Sequence, residues 1–322
     1  MDDNTFQELL GLVTPYIERQ DTKMRRAITA EERLTATLRF LAPGRSLEDL
    51  KFGTLISPQA LGQINPDTCN AIVKVLQDQY LKLPASISEW QAMAEEFATT
   101  WQFPNCGGAI DGKHISINPY FNYKGYISSI VLMAVVNANY EFIFIDNTTF
   151  YEWLTTKTLN LPSREQTKHS LYFVFVADEA FALHENIMKP YPQRHLTREK
   201  QIYNYRLSRT RRIVENTFGI LSSRFRIFLM AINLQVEKID WMVTACCVLH
   251  NYLRRKVTQH RTLSRAAPRD PDPEHPEENS SFPSVEPPPL HSRASVQAKQ
   301  VRNEYLAYFN GVGAVDWQED HI

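Results

Sequence analysis

The sequence predicts an α/β protein: a mixed sheet with flanking helices, preceded by a region that is helical throughout. Three observations lead there. Residues 5 to about 100 carry apolar side chains at helical spacing, punctuated by helix-start signals. From Gly107 the pattern changes to runs rich in Ile, Val, Phe and Tyr, at 109–117, 126–137, 141–146 and 171–177. Helical spacing then resumes, so closely spaced strand pairs are followed by a helical crossover, which is how a mixed sheet in an α/β layer is built.

The elements can be justified in order. Thr29-Ala30-Glu31-Glu32 is a capping box, with the threonine accepting from one backbone N–H while Glu32 reaches back to another; Leu34, Leu38 and Leu41 follow on one face. Pro43-Gly44 ends that helix. Ser46 caps a short helix through Leu47, Leu50 and Lys51, and Ser57-Pro58 opens a second one to about Gln63, a pair that reads as helix-turn-helix. Asn65-Pro66-Asp67 then starts a long amphipathic helix through Ile72, Val73, Val75, Leu76, Tyr80 and Leu81. Asn137-Ala138-Asn139 turns the second strand into the third. Later helices are expected at 151–159, 179–188, 205–222 and 235–255, and a fifth strand is not visible. Residues 257–292 are dense in Pro, Ser and acidic groups and are expected to be disordered. Val301, Tyr305, Tyr308 and Phe309 form an apolar stripe in a C-terminal amphipathic helix that docks on the core or on a partner.

Three carboxylates carry the chemistry. Asp111 lies inside the apolar, β-branched run Ala109 to Ile117, Asp178 directly follows Leu171 to Val176, and Glu215 lies in the arginine-rich pattern from Arg211 to Phe218. A charge among apolar residues is costly unless something compensates it, and a divalent cation does so. Hard cations such as Mg²⁺ prefer oxygen ligands, and a few carboxylates can hold a pair of ions roughly 3.5–4 Å apart, one at the attacking and one at the leaving oxygen of a phosphodiester. Short Asp suits a strand, and longer Glu reaches across from a helix. Each residue alone also has an ordinary reading, such as an Asp that simply forms a turn at a strand end.

Composition bounds the function. With 322 residues the chain has room for two folded parts and a linker, and 43% hydrophobic with 22% charged residues is ordinary for a soluble protein. The longest apolar run, Ile130 to Val136, falls far short of the roughly 18 residues of a membrane span, and the opening Met1-Asp2-Asp3-Asn4 lacks a basic, apolar signal. Membrane insertion and secretion are therefore not expected. Cys69, Cys106, Cys246 and Cys247 show no CxxC spacing and read as buried thiols of a reduced compartment. The formal net charge of −1 conceals an asymmetry, with Arg198, Lys200, Arg206, Arg209, Arg211, Arg212, Arg224 and Arg226 around Glu215 and acidic residues in the tail. Basic charge at that place is suited to DNA phosphates, with Lys113, Arg206, Arg209, Arg211, Arg212, Arg224 and Arg226 as candidate contacts. For Lys113 a solvated surface lysine, and for Arg211 a plain ion pair along the helix, are equally good readings. His114, three residues after Asp111, falls on the opposite strand face and reads as a structural hydrogen-bonding residue, with metal binding as the alternative.

From Asn105 to about Tyr252 the chain resembles the PIF/Harbinger transposases and the nucleases derived from them, within the DDE superfamily of endonucleases. The likeness rests on Cys106 to His114, Asn122 to Tyr126, Ala177 to Phe181, Tyr203 to Arg209, Val214 to Gly219, Arg224 to Arg226 and Ala245 to Asn251, in that order. It implies an RNase H-like fold with Asp111, Asp178 and Glu215 as catalytic and metal-binding triad, Mg²⁺ or Mn²⁺ as cofactor, DNA strand cleavage as ancestral reaction, and work in the nucleus, with the cytoplasm also open. It also implies a separate Myb-like DNA-binding protein as partner, and leaves an oligomer open. In one place the chain departs from the family: after Glu141 to Asp146, where members carry a glycine-rich segment with a Ser-Asp pair, Asn147 to Tyr151 follows at once. A metal-dependent DNA endonuclease and a catalytically impaired, domesticated transposase acting as a DNA-binding or scaffold protein are thus the two readings. The expected division is 1–103 helical, 104–256 RNase H-like, 257–292 linker and 293–322 C-terminal helix.

Overall fold

The structure, a computed structural model, describes residues 1–121, 127–146, 149–194, 196–232, 234–263 and 295–321. Over these residues, contacts gather the chain into two interleaved units. The first takes Met1–Lys82, Ile115–Ile130 and Gly219–Ser281; the second takes Leu83–His114, Val131–Phe218 and Phe282–Ile322.

The first unit is helical apart from short stretches of two strands. Helix α1 spans Asp3–Ile17, capped by Asp2, and α2 spans Ala30–Leu41 with the expected reciprocal box between Thr29 and Glu32. The two Thr29 hydrogen bonds hold the Glu32 carboxyl below the usual range. Helix α3 spans Leu47–Thr54 behind its Ser46 cap. The next element differs from expectation. Instead of a short helix ending near Gln63 and a new one from Asn65, a single helix α4 runs Pro58–Tyr80 with Pro66 inside it. A proline there forfeits one backbone hydrogen bond. Burial compensates, since Leu61, Ile64, Cys69, Ile72, Val73 and Leu76 all line the buried side across the proline. Asn65 is not a cap but a buried acceptor for the Thr37 hydroxyl, at 3.2 Å. Helix α8, Val236–Leu263, packs along α4, with Tyr80 and Tyr252 edge to face. It extends past residue 257, where a linker was expected to begin; residues 264–292 of that linker lie outside the described residues.

The second unit holds the sheet core. Helix α5, Ile87–Trp101, leads into β1, Cys106–Phe121, followed by β2, Ile127–Val136, β3, Phe142–Ile145, helix α6, Thr149–Thr155, and strands β4, Val174–Val176, and β5, Ile187–Met188. Sheet order is β3-β2-β1-β4-β5, with β2 and β3 antiparallel and β1, β4 and β5 parallel along their pairings. This mixed sheet with flanking helices, preceded by helices, is the RNase H-like arrangement that the resemblance implies. The fifth strand lies in 179–188, where a helix was expected. Asp178 instead accepts the Ala180 N–H in a tight turn, and Ile187 and Met188, both fully buried, extend the sheet edge. Two residues are too few for a periodic signal.

One face of the sheet is covered by α5 and α6. Trp90 packs edge-on against Phe173 and Phe175, and Phe150 packs on Phe175, in a core with Ile110, Val135 and Ile143. The opposite face meets helix α7, Arg198–Arg224, through Phe142 and Phe218. Helix α9, Val296–Phe309, docks within the same unit: Tyr305 donates to the Tyr172 carbonyl at 2.7 Å and, with Phe309, packs against Phe103.

Candidate functional site

The register of two strands sets the site. Cys106 pairs with Val174, Gly108 with Phe175 and Ala109 with Val176, and the extra residue at 107 is a bulge. Carried two residues further, past the end of β4 at Val176, this parallel register brings Asp111 level with Asp178. Since Ile110 and Ala177 point into the α5/α6 core, alternation turns Asp111 and Asp178 to the α7 face. Two glycines permit the bulge. A Cβ on Gly107 would lie 2.4 Å from the Phe173 ring; Gly108, at φ +155°, would bring one 2.7 Å from Val135.

Helix α7 supplies the third carboxylate. Glu215 is half exposed and pairs with Arg211 one turn earlier at 3.2 Å, Arg211 itself being 15% exposed. The four groups share one electrostatic environment. Burial pushes the Asp111 carboxyl up to about 6; Asp178 and Glu215 push the same way, while the Gly112 N–H at 2.8 Å and the Arg211 charge oppose them. Asp178 is 9% exposed, and its Oδ1 accepts the Ala180 N–H at 3.0 Å.

The donor chemistry fits a hard divalent cation: three carboxylates, with mutual repulsion at Asp111 that a positive ion would relieve. In the conformation seen, however, no three acidic, His or Cys side chains among the described residues are close enough to enclose one ion. Asp111 and Asp178 are held by backbone hydrogen bonds, whereas Glu215 is turned to Arg211.

The candidate DNA-binding residues are distributed differently from a surface patch. Lys113 is 4% exposed, on the same strand face as Asp111 and 6.0 Å from the centre of the Phe218 ring, so it is a core-lining cation rather than a solvated lysine. Arg206 is 2% exposed. It donates to the Gly313 carbonyl and Gln318 Oε1 at 3.1 and 3.0 Å, and to the Gln102 carbonyl, with Phe309 and Trp317 over its guanidinium. That differs from its expected phosphate role: an arginine whose Nη1 and Nη2 both donate inside is a structural tie. Arg209 donates to Gln102 Oε1 at 2.9 Å and lies 4.4 Å from the Trp317 ring centre. Arg212 is half-buried, Arg224 donates to the His250 carbonyl at 3.2 Å, and Arg226 is exposed. His114 is half-buried, and two further carboxylates, Asp146 and Glu179, are exposed. Lys189 went unnoticed in the sequence. It donates to the carbonyls of Glu179 and Phe181 and feels the Asp178 charge, a proximity that exists only once β5 is built. Asn122 to Tyr126, and residues 147 and 148 at the shortened connection, lie outside the described residues. Beyond them, α6 packs on the sheet through Phe150 and Leu154. All four cysteines are free and buried.

Comparison with known proteins agrees with this architecture. Residues 110–251 match the family described as DDE superfamily endonuclease. The chain is 25% identical over 245 residues to a Bos taurus protein named "Putative nuclease HARBI1", covering 71% of this chain and 69% of that one, and the same holds for its Homo sapiens counterpart. An Arabidopsis thaliana protein named "Protein ALP1-like" is 24% identical over 264 residues, covering 70% of this chain and 61% of its own. No solved structure matches to significance. Among the described residues no helix is long and apolar enough to cross a membrane.

Proposed function

We propose, for a chain whose residues 110–251 match the family described as DDE superfamily endonuclease and which is similar to proteins named putative nuclease, that it cleaves DNA phosphodiester bonds with divalent metal. The observation that carries this reading is the β1/β4 register, which brings Asp111 level with Asp178 on the face where the charge of Glu215 also reaches Asp111. Asp111, Asp178 and Glu215 are the residues that would hold Mg²⁺ or Mn²⁺. Such ions, when bound, neutralise charge at the attacking and leaving oxygens of an in-line displacement. The residues do the rest. The two aspartates, fixed by backbone N–H bonds, define the metal end of the site. Glu215 swings in from α7, and its half-exposed side chain leaves it free to do so. Half-buried Arg212 on α7 offers positive charge to the strand without reading bases, exposed Arg226 is a second candidate phosphate contact, and Arg211 stands one turn from Glu215. We place this work in the nucleus, with a Myb-like partner supplying sequence recognition.

A second reading is favoured by one feature. The connection between β3 and α6 is short, with Ile145 ending the strand and Thr149 beginning the helix, so there is no loop of the family's length to close over substrate. On that reading the protein binds DNA and metal and cleaves poorly. One experiment separates the two: incubate the purified chain with supercoiled plasmid and Mn²⁺. Efficient nicking, lost in Glu215→Gln, establishes the nuclease. Retained DNA binding without nicking, with nicking gained when the family's glycine-rich Ser-Asp segment is inserted after Asp146, establishes the impaired form.

A further inference from the structure

We infer that Arg211 is a resident counter-ion of the carboxylate site: it holds Glu215 in an ion pair and must release it before Glu215 can join Asp111 and Asp178 around a metal ion. This rests on the proposed nuclease reading, because it takes those three carboxylates as the ligand set.

The asymmetry of the pair is the first argument. Arg211 is 15% exposed and Glu215 50% exposed, so the guanidinium lies in the protein wall and the glutamate comes to it. A buried cation needs its partner more than an exposed anion does. The second argument is spare capacity. Arg211 uses Nη2 for Glu215 at 3.2 Å, while its Nε is buried and has no hydrogen-bond partner among the described residues. The third is position. Paired with Glu215 at 3.2 Å, its charge is also felt at Asp111, where it opposes the effect of Asp178 and Glu215. The fourth is the arrangement of the acids themselves, which do not enclose an ion among the described residues although two of the three are locked by backbone bonds. The helix-borne acid is the one held by a side chain, and Arg211 is what it touches.

The consequence is a competition between two cations for one carboxylate. A half-exposed pair of this kind is weak, so Arg211 tunes metal affinity and does not block it. Arg211→Gln should bind Mn²⁺ about fivefold more tightly than the parent, the scale of an ion pair worth ~1 kcal/mol. The measurement is calorimetric titration of the DNA-free chain with Mn²⁺, in the parent, Arg211→Gln, Glu215→Gln and the double variant. The expected result is tighter binding in Arg211→Gln, weaker binding in Glu215→Gln, and a gain from Arg211→Gln in the Glu215→Gln background that is clearly smaller than in the parent. Arg211→Met, which keeps the apolar stem, replaces Arg211→Gln if that variant does not fold, and must change affinity in the same direction. Unchanged or weaker binding in the folded Arg211 variant overturns the inference while leaving the ligand set intact. An equal gain in the Glu215→Gln background also overturns it, because the effect would then be general electrostatics. Identical Mn²⁺ affinity in the parent and Glu215→Gln overturns both the inference and the ligand set.

Discussion

The strand-borne and helix-borne halves of the candidate site are built on opposite principles. Asp111 and Asp178 owe their positions to backbone: parallel register, a glycine bulge and one N–H donor each. Glu215 owes its position to a side-chain ion pair on a helix surface, and half of it meets solvent. The first half is therefore fixed by the same hydrogen bonds that fix the sheet, and the second is adjustable at small cost. A site with one rigid and one movable side can be preformed without being permanently closed.

Substitutions can break that contrast, the largest effect falling on the rigid side. Gly108→Val would bring side-chain atoms against Val135 Cγ1, already 2.7 Å from an added Cβ, at a φ of +155° that valine avoids. We expect a loss of about 3 kcal/mol, as for overpacking a core with added backbone strain, read as a lower denaturation midpoint. A midpoint equal to that of the parent would mean that the bulge does not hold the register.

Asp111→Asn should act in the other direction. The folded carboxyl is raised from the ordinary 3.8 to about 6, so between those values the folded state binds protons that the unfolded chain has released, and stability falls as pH rises through that window. Without metal, the asparagine variant should therefore be more stable above pH 6, by ~1–2 kcal/mol after allowance for solvent screening, with the gain vanishing by about pH 4. Chemical denaturation across pH tests this; a constant difference at all pH values would mean that Asp111 is not strained by its charge.

DNA binding sharpens the contrast between arginines that are displayed and those that are not. Each duplex phosphate contact adds about −0.9 to the log–log salt slope, so Arg212→Gln with Arg226→Gln should flatten it by roughly two units. Arg206→Met should leave the slope unchanged and lower thermal stability instead, since its Nη1 and Nη2 donate to Gly313, Gln318 and Gln102. Equal slope changes from both would return Arg206 to the binding surface. The smallest expected effect is on the movable side, where Glu215→Gln should change stability by no more than about 1 kcal/mol, because half-exposed ion pairs contribute little. A larger shift in melting would show that Glu215 is fixed after all.

How far each half was legible follows from the range of the forces that make it. The Thr29–Glu32 box, the Ser46 and Ser57 caps and the strand setting of Asp111 are local, and the sequence displays them directly. Pro66 within α4 was illegible because its compensation comes from burial against distant residues, which overrides a local helix breaker. Strand β5 was illegible because two residues carry no period, and the apparent helix at 179–188 contains no partner for its apolar residues until β4 lies beside them. The arginines of α7 were visible as a charge cluster, but charge says nothing of direction. Arg206 points to the Phe309 and Trp317 rings, which lie about a hundred residues away in the chain. The carboxylates were legible as a set through their apolar settings and the order of motifs, whereas the Arg211–Glu215 latch needs the relative burial of the two side chains.

The tie between Arg206 and the C-terminal segment also governs how variants of the protein are interpreted. Gln318, 3% exposed, accepts from Arg206 and donates to the Phe309 carbonyl, while Trp317 stacks on both Arg206 and Arg209. These residues plug the start of α7, the helix that carries Glu215 further along. Substitutions at Trp317 or Gln318 would loosen that plug, so a loss of activity in such variants would report a loosened helix and not a missing catalytic group.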